Sequence, residues 1–184
     1  MIRTLFAAAV AVTLVGFATA AELKSGPQPG DKVPGPFAPL NINGKSAGEK
    51  HCLFCDNGNN PVVMIFARTP DCPGTQKLLK AVDAATAANS DCKMGSFVVF
   101  CTDEEKAEAK LKELAAKEGY KKLVLSLDTP AGPSKYNVAK DADLTVVLYT
   151  ERVSKANYSF EKGKITDKDI DAIVKDVSKI VPSK

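Results

Sequence analysis

The chain has 184 residues, 45% hydrophobic and 26% charged, which suits one domain with a real core and excludes a disordered chain, a collagen-like repeat and a disulfide-packed miniprotein. Its 25 basic and 22 acidic residues are interspersed and leave a net charge of +3, too balanced to point to nucleic acid or a membrane surface. With no Trp and one His, there is little material for a His-rich metal site or a His-based triad.

Residues 1–20 place Arg3 before an apolar run over 5–17 and end on Ala18-Thr19-Ala20. This is the pattern of a secretory signal peptide cleaved after Ala20 or Ala21. The run is shorter than the roughly 20 residues that cross a bilayer, and no later stretch is long enough. The mature chain is therefore expected to be exported to the periplasm or beyond, soluble, with no membrane span and able to keep disulfides.

Residues 21–61 are expected to form a Pro/Gly-rich arm and a Cys-x-x-Cys loop. Five prolines, Pro27, Pro29, Pro34, Pro36 and Pro39, exclude helix and central strand over 22–39, so this arm is laid on the surface or partly disordered. Asn43-Gly44 predicts a tight turn. The polar stretch 45–61, with His51, Cys52 and Cys55, predicts a loop.

Residues 62–184 form the expected domain. The apolar run 62–66 predicts a strand buried on both faces. Over 74–89, Leu78, Leu79, Val82 and Ala85 fall at helical spacing, and 97–101 is a second buried strand. Thr102 and Glu105 have the spacing of a capping box for a helix. That helix would bury Ala107, Leu111, Leu114 and Ala115, pair Glu108 with Lys112 and Glu113 with Lys117, and stop at Gly119. A third strand spans 123–127, and a short helix is expected around 134–138. Segments 145–149 and 153–160 are too close for a crossover and predict an antiparallel hairpin. A last helix starts at Thr166, carries Ile170, Ile173, Val174, Val177, Ile180 and Val181 on one stripe, and ends by Pro182.

The fold class is thus α/β, a central mixed sheet built as βαβαβ, then a β-hairpin and a C-terminal helix, flanked by helices. This order resembles the thioredoxin-like fold over about residues 60–181. The segment Gly30-Asp31-Lys32-Val33-Pro34-Gly35-Pro36-Phe37, followed by Asn43-Gly44-Lys45, is similar to the opening of the peroxiredoxin and TlpA-like branch. The chain also resembles secreted bacterial thioredoxin-like proteins whose active-site motif is degenerate.

That resemblance implies a reactive thiol where the first core strand meets its helix, which here reads Arg68-Thr69-Pro70-Asp71-Cys72-Pro73-Gly74-Thr75. A thiol at a helix N-terminus meets unpaired N–H groups that favour thiolate; Arg68 adds to that effect and Asp71 opposes it. Two features depart from the dithiol pattern. Thr75 stands where a dithiol motif has its second Cys, and Asp143-Leu144-Thr145 contains no Pro where a cis-Pro is usual. Thr69 stands three before the thiol, as in peroxiredoxins, but Ile65 replaces their Pro and Arg152 is the only downstream Arg.

Five cysteines leave at least one thiol unpaired or bridged between chains. Cys52 and Cys55 form a loop-closing disulfide or bridges to cysteines elsewhere, a redox pair serving Cys72, or, with His51, part of a metal site. His51 precedes Cys52, the reverse of the haem-attachment order, and no cofactor or metal is assigned. Cys101 is expected to be buried and inert. A pair between Cys92 and Cys72 would have to cross a helix of roughly 20 Å. Two functions remain open: binding or assembly of an unknown protein partner, without efficient dithiol exchange; or thiol-redox chemistry on a thiol or disulfide substrate. In the second, Cys72 attacks, Thr69 and Thr75 hydrogen-bond it, and Cys52/Cys55 resolve it.

Overall fold

The computed structural model describes residues 23–182, so the signal sequence read in residues 1–20 lies outside the described residues. Six strands form one mixed sheet: β1 (Leu40–Asn41), β2 (Val62–Ala67), β3 (Gly95–Cys101), β4 (Leu123–Asp128), β5 (Leu144–Thr150) and β6 (Val153–Phe160). The order across the sheet is β1-β4-β3-β2-β5-β6. Strands β2, β3 and β4 are parallel; β1, β5 and β6 pair antiparallel with their neighbours.

The central strands are apolar on both faces because both faces are covered. Along β2, Val63, Ile65 and Ala67 face one core and Val62, Met64 and Phe66 the other. The first core takes α2 (Pro73–Ala88), α3 (Ala107–Glu118) and α4 (Asp167–Asp176), through Leu78, Leu79, Val82, Leu111, Leu114, Ile170 and Ile173. Successive right-handed crossovers stepping outward from β2 to β4 put α2 and α3 on the same side. Among the described residues, the second face has a single short helix, α1 (Leu53–Asn57). The arm and the 129–142 loop supply the rest of its cover, through Val33, Phe37, Tyr136 and Val138, beside Leu53 and Phe54 of α1.

Several sequence expectations change here. The stretch 45–61 is not all loop: Leu53 and Phe54 are buried and nucleate α1 inside a Gly- and Asn-rich segment. The expected helix around 134–138 is absent. Lys135 and Asn137 both have positive φ, which breaks helical continuity, and the buried Tyr136 donates its hydroxyl hydrogen to Gly35 O.

Helix α3 begins at Ala107 with Lys106 as N-cap, so Thr102 does not cap it; its Oγ1 accepts the Glu104 N–H at 3.2 Å in a tight turn. Glu108 pairs with Lys112 at 2.6 Å as expected. Lys117 instead stands 3.9 Å from Glu118, whose main partner is Lys80 at 2.6 Å. Gly119 ends the helix at φ 62°.

Other expectations hold. The β5–β6 hairpin turns on Glu151 and Arg152, both at positive φ, the geometry that matches strand twist. Thr166 and Asp169 form a capping box at the start of α4.

The arm is laid against the sheet. Lys32 bridges Val153, and Ser25, 1% exposed, receives the Ala139 N–H at 2.9 Å and the Thr145 hydroxyl at 2.7 Å. Asn43 continues the edge of β4, accepting the Leu125 N–H at 2.7 Å.

Candidate functional site

Cys72 is the N-cap of α2, in extended conformation at φ −77°, with Pro73 in the first turn. The turn before it is pinned from three sides. Thr69 Oγ1 accepts the Asp71 N–H at 3.2 Å, Gln76 Nε2 donates to Pro70 O at 2.8 Å, and Lys110 Nζ pairs with Asp71 at 3.2 Å. Hydrogen bonds to Glu104 first and to Asp71 second hold the Lys110 ammonium in its charged form and raise its pKa above the ordinary lysine value. An open cleft of about 400 Å³ beside this turn is lined by Pro70, Asp71, Gln76, Lys110 and Leu114.

Cys72 is half-buried. Among the described residues no hydrogen bond joins its Sγ to Thr69 or to Thr75. Thr75 is 1% exposed and belongs to the buried face of α2. Nor does Arg68 serve the thiol. Its Nε donates to Ala142 O at 3.2 Å, Nη1 to Cys101 O at 3.4 Å and to Pro130 O, and Nη2 to Ala139 O at 2.9 Å. This arginine clamps the 129–142 loop, a role set by residues too distant in sequence to be read locally. Arg152 lies over the Phe54 ring at 5.2 Å, on the α1 side.

Cys52 and Cys55 are joined, with a Cα–Cα distance of 5.2 Å. Cys52 is the N-cap of α1 and packs against the second core, while Cys55 is exposed. The Cys55 N–H donates to Cys52 Sγ at 3.1 Å. His51 is turned to Asp56, Nε2 to Oδ2 at 2.8 Å. The structure therefore does not combine the pair with Cys72 into one centre: the pair belongs to the packing of one sheet face, and Cys72 opens the helix of the other.

The remaining cysteines are Cys92 and Cys101. Cys92 lies in the 3-10 turn Ser90–Cys92 beyond the far end of α2, and its thiol is near Asn89 O at 3.1 Å. Cys101 is 2% exposed. Burial pushes its thiol up to about 12, with Arg68 pulling it down and Asp128 pushing it up. Among the described residues no cluster of three or more His, Cys, Asp or Glu could hold a metal ion, and no helix is long and apolar enough to cross a membrane.

No family model and no curated protein matches the sequence. Solved structures do match in shape. The thioredoxin domain of a thiol-disulfide oxidoreductase from Bacteroides vulgatus is similar at TM-score 0.59 and 14% identity, over 88% of this chain and 100% of that one. Peroxidoxin BcpB from Mycobacterium tuberculosis gives 0.60 and 14%, over 85% and 99%. A thiol peroxidase from Chromobacterium violaceum gives 0.61 and 12%, over 86% and 90%. At such identities the likeness speaks for architecture, and site chemistry must be argued residue by residue. The chain has a thioredoxin-like fold.

Proposed function

We propose that this is an exported thioredoxin-fold protein that binds a protein partner and does not run dithiol exchange at Cys72. One observation carries the reading: the position one turn beyond Cys72 is Thr75, buried against the sheet, so a disulfide formed at Cys72 has no neighbouring thiol to resolve it. Arg68, which could have favoured a thiolate there, is held by four backbone carbonyls. Export rests on the signal-like pattern of residues 1–20 and on the Cys52–Cys55 bridge, which suits an oxidising compartment.

A second reading keeps Cys72 as an attacking monothiol. It is favoured by the position of Cys72 at the N-terminus of a 16-residue helix, where the first-turn N–H groups favour an anion. The names of the similar structures, an oxidoreductase and two peroxide-handling proteins, fit that chemistry. Peroxide consumption and disulfide turnover, measured on the parent chain and on Cys72→Ser, decide between the two. Unaltered rates in the variant are expected. A rate that depends on Cys72 overturns the binding reading and makes the protein a thiol enzyme.

A further inference from the structure

The Cys52–Cys55 bridge holds little in place that other contacts do not already hold. Leu53 and Phe54 are buried, Asn57 Nδ2 donates to Leu53 O at 2.7 Å, and the Asp56 and Gly58 N–H groups bond to Cys52 O and Cys55 O, each at 3.2 Å. Both half-cystines therefore keep their positions when the S–S bond opens. A bridge across a separation of 3 residues also removes little freedom from the unfolded chain, because loop-closure entropy grows with loop length.

The two half-cystines are not equivalent. Cys55 is exposed, whereas Cys52 is half-buried beside the second core. The Cys55 N–H, 3.1 Å from Cys52 Sγ, stabilises negative charge on that sulfur and on no other. In thiol–disulfide exchange, the attacked sulfur must be accessible and the leaving sulfur must carry charge well. Here each requirement is met by a different cysteine, and in a fixed order.

We propose that Cys52–Cys55 is an exchangeable disulfide that oxidises dithiols, with Cys55 as the attacked sulfur and Cys52 as the leaving thiolate. The first thiolate of the substrate attacks Cys55 Sγ. The Cys52–Cys55 bond breaks, a mixed disulfide forms on Cys55, and Cys52 departs as a thiolate that takes a proton from water. The second substrate thiolate then attacks its partner sulfur in the mixed disulfide and releases Cys55, which is protonated in turn. Two electrons and two protons pass from the substrate dithiol to the cysteine pair, and the substrate leaves as a disulfide. Phe54, between the two half-cystines, also borders a cleft of about 390 Å³ that mixes Val33, Pro34 and Pro36 with Lys32, Glu151 and Arg152. That mixed lining suits a peptide dithiol flanked by both apolar and charged residues.

The test needs no assumption about Cys72, because each cysteine is followed in its own peptide. The folded chain is incubated with millimolar reduced glutathione and alkylated, and its far-ultraviolet circular dichroism is recorded in parallel. The bridge is expected to open with the dichroism unchanged; a bridge that stays closed in glutathione, or opens only as the protein unfolds, overturns the proposal. The order of attack is read on the oxidised parent chain, quenched in acid during the first turnover with reduced glutathione. Glutathione is expected on the Cys55 peptide at least tenfold more than on the Cys52 peptide. Equal or reversed labelling refutes the assigned roles.

Discussion

Replacing Arg68 with Ala should loosen the cover of the second sheet face. The guanidinium donates to Ala142 O, Cys101 O, Pro130 O and Ala139 O, tying the end of β3 to both limbs of the 129–142 loop. A hydrogen bond from a charged donor is worth about 1.5–3 kcal/mol, but the part-exposed loop carbonyls recover water when it is lost, and bonds to one group do not add. The expected cost is therefore about 3 kcal/mol, a large share of the roughly 5–15 kcal/mol that holds a domain folded. Urea unfolding at neutral pH measures it. Arg68→Lys should regain about 1 kcal/mol at most, since a single ammonium cannot span four acceptors set in a fork. Cys101 supplies a second readout. Its sulfur packs against Gly132, where an added Cβ would sit 3.3 Å away, so a loosened loop should let an aromatic disulfide reagent reach it. A loss under about 1 kcal/mol, with Cys101 still unreactive, would refute the clamp.

Two further perturbations test how the arm and the last helix are held. Ser25→Ala strands the Ala139 N–H and the Thr145 hydroxyl in a buried place and should cost about 1–3 kcal/mol in urea unfolding; a change within error means the arm is not part of the folding unit. For Asp176, burial pushes the carboxyl up, but hydrogen bonds from Lys179 and from the Tyr158 hydroxyl, each at 2.6 Å, and the Lys175 charge hold it below 3.8. The folded value lies below the unfolded one, so the stabilisation is full above the ordinary carboxylate value and is lost as pH falls through the folded value. Asp176→Asn should therefore destabilise by about 1–2 kcal/mol at neutral pH, with the difference from the parent fading in acid unfolding titrations as pH falls below the ordinary carboxylate range.

Strands β2 to β6 and helices α2 to α4 could be read from the sequence because their signals are local, whereas the two-residue β1 carries none. Runs such as 62–66 and 97–101 carry their burial in their own composition, and the stripe from Ile170 to Val177 after Thr166 marks the last helix. Helix α1 was hidden because only Leu53 and Phe54 announce it, among residues that favour turns. The position of Cys72 at a strand–helix junction was equally legible. Its surroundings were not, since they come from Lys110, from Ile165 beside Gly74, and from the loop that takes Arg68 away.

A common physical cause connects the surroundings of Cys72 with the cover of the second face. Among the described residues that face has no long helix, so irregular chain must cover it, and irregular chain brings carbonyls and N–H groups that no ladder satisfies. The side chains that satisfy them are Ser25, whose Oγ accepts the Ala139 N–H at 2.9 Å, Asn157, whose Nδ2 donates to Ser25 O at 2.8 Å and Pro27 O at 2.9 Å, and above all Arg68. Polar groups beside the end of β2 that could have tuned a thiolate are thus engaged in holding the cover. The same cover presents α1 with one half-cystine exposed and the other set against the core. A face closed by arm, short helix and loop therefore draws Arg68 to the loop carbonyls and sets one half-cystine of the Cys52–Cys55 bridge against the core while the other stays exposed.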